Sequence, residues 1–232
     1  EIWLVQFGTG EDDRLTSVVV DGNDDIYVAG ETLGDLGGPN AGRSDAFVRK
    51  YTADGDVVWT EQFGTDASER GDDIAVDGDG NVFVNGMSWI TGSSSGFVRK
   101  YQQANDGLSV AEKWTTTFEW GVRQIAVLED GDVIGIGSAW NEDMRDEAYV
   151  FKLDADGDLV WESEFGTGRW FNSSKDRDEV PVTRRPVELW EALRGYSERA
   201  IGLAVDAAGN VFITGFAGAV PITARYGVEM AE

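Results

Sequence analysis

Read for the order of apolar and polar positions, the chain falls into short runs rich in Val, Ile, Phe, Tyr and Trp, each bounded by clusters of Gly, Asp and Asn. Runs of this length and composition predict strands, because β-branched and aromatic side chains pack well on a pleated, half-buried surface while Gly and Asn supply the bends. The runs recur. VVVDGNDDIYVAG (18–30), IAVDGDGNVFVNG (74–86), IAVLEDGDVIGIG (125–137) and LAVDAAGNVFITG (203–215) superimpose without a gap. A second element follows each: AFVRKYTADGDVVWTEQFGT (46–65), GFVRKY with KWTTTF (96–118), AYVFKLDADGDLVWESEFGT (148–167) and a shorter ITARYGV (222–228). Trp3, Trp59, Trp114 and Trp161 head equivalent strands, so one unit repeats about every fifty residues.

Each unit predicts four strands in two hairpins, the first bent at Asp-Gly or Gly-Asn and the second at ADGD, where Gly and Asn tolerate positive φ. A lone small sheet of this kind cannot bury both faces, but stacking against neighbouring copies can. The expected fold is all-β: a single β-propeller domain over 1–232, with about four four-stranded antiparallel blades. The opening EIWLVQFGT matches VVWTEQFGT (57–65) and LVWESEFGT (159–167), and so reads as a fourth strand without its first three. The last unit stops after its third strand. Residues 2–7 are therefore expected to pair antiparallel with 222–228 and close the last blade; the competing reading is a piece of a larger propeller. An inserted segment, 168–199, contains RPVELWEALRGY, where Val187, Leu189, Trp190 and Leu193 predict a short helix opened by Pro186 and stopped by Gly195.

At Ile74 to Gly86, Asp45 to Tyr51 and Val57 to Thr65 the chain resembles the bacterial propeller repeats called SBBP (seven-bladed beta-propeller) repeats. The resemblance covers nearly the whole chain outside 169–197. It implies the propeller fold and a secreted or cell-surface location, and it implies no particular chemistry. About four units stand here where the family name counts seven.

Composition narrows the chemistry. Forty-three acidic residues against nineteen basic give a formal charge of -24, which repels nucleic-acid phosphates and anionic bilayers. No nucleic-acid partner is expected, and no membrane insertion, since no apolar run reaches the ~20 residues a span requires. The acidic balance suits either a secreted or surface protein or the cytoplasm of a high-salt organism. The chain starts at Glu1 without a leader and reads as a processed product. It contains no cysteine and no histidine, which excludes disulfides, thiolate nucleophiles, imidazole bases and thiolate or imidazole metal sites.

DGDGN, from Asp77, has the front of a calcium loop, but Val82 and Ser88 stand where such a loop needs Gly and Glu; from Asp154 the same places hold Leu159 and Phe165. The hairpin bend is the stronger reading. No metal site or cofactor is assigned, and calcium stays open through carboxylates alone. TADGDVVW (52–59) is similar to the Asp-box of sialidase-like propellers, with its Gly one place early.

Connections between second and third strands and between blades are long and irregular: 31–45, 87–96, 138–147 and 168–199. Such loops on a rigid scaffold are where binding concentrates. The candidate ligand-binding residues there are Trp89, Trp140, Trp170 and Trp190 with Glu142 and Asp143. The expected partner is a protein or carbohydrate ligand, or further copies of the chain. No catalytic residue is assigned. A carboxylate-dependent glycoside hydrolase or lyase is the alternative, and it would need two acids about 5–10 Å apart in one pocket. Asp35, Asp45, Glu142, Asp143, Asp146 and Asp178 supply the acids for it.

Overall fold

The computed structural model describes residues 3–90, 93–140, 146–164, 170–172, 198–206, 210–217 and 220–226. Within these the protein is all-β, in four sheets whose strands follow one another in sequence. The first holds β1 (Asp13–Val20), β2 (Ile26–Thr32), β3 (Asp45–Tyr51) and β4 (Val57–Phe63). The second holds β5 (Ser68–Val76), β6 (Val82–Ile90), β7 (Ser93–Gln103) and β8 (Val110–Phe118). In the third, β9 (Gly121–Val127), β10 (Val133–Trp140), β11 (Asp146–Leu153) and β12 (Leu159–Glu164) are extended by β13 (Trp170–Asn172). The fourth has three strands, β14 (Glu198–Val205), β15 (Val211–Ala217) and β16 (Val220–Tyr226). Contacts gather into two compact units, Glu1–Val122 and Arg123–Glu232, with the boundary inside β9.

The blades are antiparallel meanders, as the repeat predicts, and DGDGN lies at a hairpin turn between β5 and β6. Asp77 Oδ1 accepts the backbone N–H groups of Asp79 (3.0 Å) and Asn81 (2.9 Å), and Asn81 Nδ2 donates to Asp77 Oδ2 at 2.8 Å. The same turn recurs at Asp21, which accepts from Asn23 and Asp25, and at Asp154, which accepts from Asp156 and Asp158. The aspartates cap hairpins, the use for which short acidic side chains suit turns.

In the first unit, sheets one and two bury Tyr27, Ala29, Val48, Trp59, Ile74, Val82, Val84 and Tyr101 between them. The opposite face of sheet one has its own core of Val28, Phe47 and Tyr51, covered by Phe7 and Leu36. Covered on both faces, β3 is buried at every position, Arg49 and Lys50 included. That explains why DAFVRKY shows no polar alternation. Each fully buried aromatic or branched side chain contributes about 1.5–3 kcal/mol. The second unit has a separate core of Ile134, Ile136, Ala148, Val150, Ala200, Val211 and Ile213.

The first strand of three sheets carries a register shift at one equivalent place: Leu15/Ser17, Gly71/Asp73 and Ala200/Gly202. Opposite the first two stand Gly30 and Gly86. A Cβ on either would run into the carbonyl oxygen of Arg14 or Arg70, so the glycine that ends each VAG or VNG segment is required by the bulged neighbour.

Four expectations change. Residues 3–9 form no strand where the sequence predicts one, and the last sheet holds the three strands β14, β15 and β16. The aromatic groups of this segment are taken up by sheet one instead: Trp3 Nε1 donates to Ala53 O at 2.9 Å, and Phe7 enters the core of Phe47 and Tyr51. The supposed loop 87–96 is mostly hairpin, with Met87 to Ile90 paired to Ser93 to Gly96. Likewise β10 runs on to Trp140, opposite Asp146. The insert 168–199 contributes a fifth strand, β13, to sheet three; the helix expected at 186–195 lies outside the described residues.

Candidate functional site

Three stretches of the first unit line an open groove of about 700 Å³: Phe7 to Glu11, Leu33 to Leu36, and Arg49 of β3. Each wall is fixed by its own sequence. Phe7 meets Phe47 edge-on, with centroids 6.0 Å apart at 89°, and Tyr51 at 6.0 Å. The Arg49 guanidinium lies over the Phe7 ring, 4.3 Å from its centroid. Beyond Phe7 the chain turns on Thr9, whose N–H and hydroxyl donate to Asp13 Oδ2 at 2.5 and 3.1 Å. Burial pushes the Asp13 carboxyl up, but hydrogen bonds from Thr32 and Thr9 and the charge of Arg49 outweigh it and hold the group below the usual carboxylate value.

The facing loop is held as firmly. Gln62 Oε1 accepts the N–H groups of Leu36 (2.7 Å) and Gly37 (3.0 Å), while its Nε2 donates to Gly34 O and Asp45 Oδ2, both at 3.0 Å. Asp45 Oδ2 also takes the Ala41 N–H at 2.9 Å, and Asp35 Oδ1 takes that of Asn40 at 2.8 Å. A Cβ at Gly34 would collide with the Thr9 side chain, so loop and turn are in close approach.

Arg49 sets the electrostatics of the cavity. It is 8% exposed, and its Nε donates to Thr60 Oγ1 at 2.7 Å. Among the described residues its terminal nitrogens have no hydrogen-bond partner, and the neighbouring Tyr51 hydroxyl, also buried, has none. Glu11 and Asp35 bring two exposed carboxylates to the rim. The wall thus combines the cationic donors of a largely buried arginine, exposed acceptors and the apolar surface of Leu33 and Leu36.

The sequence-predicted residues fall elsewhere. Trp89, at the end of β6, is half-buried with the Arg70 guanidinium 5.0 Å from its ring centroid, and Arg70 Nε is bonded to Asp72 at 2.6 Å. Trp140 closes β10 opposite Asp146, and Trp170 opens β13 opposite Ser163. Trp190, Glu142, Asp143 and Asp178 lie outside the described residues. Of the candidate acids, Asp35 lines the cavity, whereas Asp45 is buried as a loop anchor. Arg49 and Glu11 were not singled out from sequence. The available signal was the repeated FVRKY, whose arginine is a cation in an otherwise buried strand.

Residues 2–37, which include both the Phe7–Glu11 turn and Leu33–Leu36, match the family model SBBP, described as Beta-propeller repeat. No curated protein matches the sequence.

Proposed function

Since this chain is a β-propeller repeat protein of the SBBP type, we propose that it is a noncatalytic binding module, secreted or displayed at the cell surface, that holds a carbohydrate or protein ligand by the loops of its first sheet. One observation carries the reading: an open groove of about 700 Å³ whose two loop walls are braced by Gln62, Asp45 and Asp13. Walls fixed in advance reduce the ordering cost of binding. The test is a glycan and peptide array probed with the full chain, followed by hydrogen exchange with the best ligand. Protection at 7–11 and 33–36 is the expected result; binding that protects only other segments overturns the assignment of the site.

A second reading, a glycoside hydrolase or lyase, is favoured by the presence of both Glu11 and Asp35 at the same cavity. It predicts release of reducing ends from an array hit, abolished in Asp35→Asn. Intact glycan recovered after prolonged incubation favours the binding module.

A further inference from the structure

The two sheets of the first unit carry the same FVRKY strand, and the second shows what the first lacks. In sheet two, Arg99 Nε donates to Thr115 Oγ1 at 2.9 Å, as Arg49 does to Thr60, and the Arg99 guanidinium covers Phe63 at 4.1 Å, as Arg49 covers Phe7. There the likeness ends. Arg99 Nη1 also meets the Tyr101 hydroxyl at 3.5 Å and Glu112 Oε2 at 3.3 Å. Glu112 stands opposite Tyr101 in the β7–β8 ladder. The residue opposite Tyr51 in the β3–β4 ladder is Val57, which is 51% exposed. Sheet one therefore keeps the arginine and the tyrosine and has no carboxylate at the equivalent place.

The terminal N–H groups of Arg49 have no hydrogen-bond partner among the described residues and, unlike the Tyr51 hydroxyl, are not sealed from solvent, so at the groove wall they are open to a ligand. Arginine offers a planar fork that matches a carboxylate with two parallel hydrogen bonds. Resting on the reading that this cavity is the binding site, we propose that it takes a small carboxylate whose acid group lies on Arg49, supplying from outside the partner that Glu112 supplies to Arg99. Glu11 and Asp35 add a second requirement. Two carboxylates at the rim repel a polyanion and accept hydrogen bonds, so the far end of the ligand carries donors, either the hydroxyls of an acidic sugar or the ammonium of an amino acid. Leu33 and Leu36 offer the apolar surface between.

Calorimetric titration of the full chain with glucuronate, alanine, acetate and glucose separates these sources. Glucuronate binding best assigns the hydroxyl-bearing class and alanine binding best the ammonium-bearing class. Acetate is expected to be weaker than the better of the two, and glucose to be weaker by about tenfold or more, the order of a lost charged pair. Arg49→Gln is expected to reduce acid binding at least tenfold. Because that variant alters a buried residue, Val57→Glu provides a second test: it places a carboxylate where sheet two has Glu112, at an exposed position, and is expected to displace the ligand, lowering its affinity about tenfold while the melting temperature holds or rises. Glucose binding as tightly as glucuronate, or Val57→Glu binding the acids like the parent, overturns the carboxylate assignment. Array binding with protection at 7–11 and 33–36 that survives both variants overturns that assignment alone; binding to the parent chain that gives no protection there for any ligand class overturns the site itself.

Discussion

Residues 3–9 and 59–65 share the pattern W-x-x-Q-F-G-T, yet one is irregular and the other is the end of β4 and the turn after it. Both nevertheless do one job. Phe7 is gripped by Phe47, Tyr51 and Arg49; Phe63 is gripped by Phe97 (5.6 Å, 81°), Tyr101 (6.1 Å) and Arg99 (4.1 Å). The following turn is alike too: Thr9 donates to Asp13, and Thr65 donates to Glu69 through its N–H (3.1 Å) and hydroxyl (2.5 Å). Each of the first two sheets thus receives a phenylalanine plug followed by a carboxylate-capped turn, and the plug forms whether or not its strand has a ladder partner.

The largest test of that equivalence is truncation of the plug. Phe63→Ala should cost about 2–3 kcal/mol, at or below the lower end of the range for a fully buried phenylalanine because Phe63 is only partly buried, the paired strand holding the cavity open. Phe7→Ala should cost about half as much, since a segment without ladder bonds can detach locally and no variant can lose more than that segment contributes. Urea melts of the two variants measure the difference; equal losses would make the unpaired segment as integral as β4.

Next in size is Gly64→Ala. A Cβ there would overlap Asp45 Oδ1 and stand 3.0 Å from Glu69 Oε2, so two buried anchors must shift, at about 2 kcal/mol. Gly8→Ala meets Asp13 Oδ2 at 2.7 Å in the counterpart turn and also strains the backbone at φ +154°, so although only one carboxylate is displaced it should cost a similar amount.

Lys50 gives a smaller contrast. Burial lowers its affinity for a proton, but the Asp25 carboxylate 2.8 Å away and the Tyr27 hydroxyl outweigh this and raise its pKa. Its contribution is therefore complete below the unfolded value of about 10.4 and is lost as pH rises through the higher folded value. Lys50→Met should lower stability at pH 8 by about 1–2 kcal/mol and flatten the alkaline limb of a melting-temperature profile. Lys152, paired to Asp132 at 2.5 Å, occupies the equivalent place in sheet three.

The smallest effect belongs to Asp13. With its folded pKa below the unfolded value of about 3.9, its contribution is complete above that pH and disappears as pH falls through the folded value. Asp13→Asn should cost about 1 kcal/mol at neutral pH, the scale of a charge-assisted hydrogen bond, and the variant and parent melts should converge near pH 2. Convergence at neutral pH would mean that Thr9 does not depend on the charge.

Much of this architecture is legible in the sequence because hairpin turns and buried strands write themselves locally. Asp21, Asp77 and Asp154 each sit at the fixed offset that lets the carboxylate reach two backbone N–H groups. What was not legible depended on partners. Met87–Ile90 and Ser93–Gly96 look like loop, since Ser and Gly carry weak strand preference, but backbone hydrogen bonds extend the ladder regardless of side chain. The cavity was hidden for a related reason: Arg49 is distinguished from Arg99 by a neighbour across the ladder, Val57 in place of Glu112, and the pairing register is needed to see it.

The meander order of the strands also sets a timetable. Hairpins close in microseconds, whereas a ribosome adds about 5–20 residues per second. Sheet one can therefore form as soon as β4 emerges, but Phe63 and Trp59 must face water until Tyr101 of β7 has been synthesised, a delay of about two to eight seconds at those rates. Translation speed between Gly64 and Tyr101 is accordingly the interval during which the newborn chain most needs a chaperone.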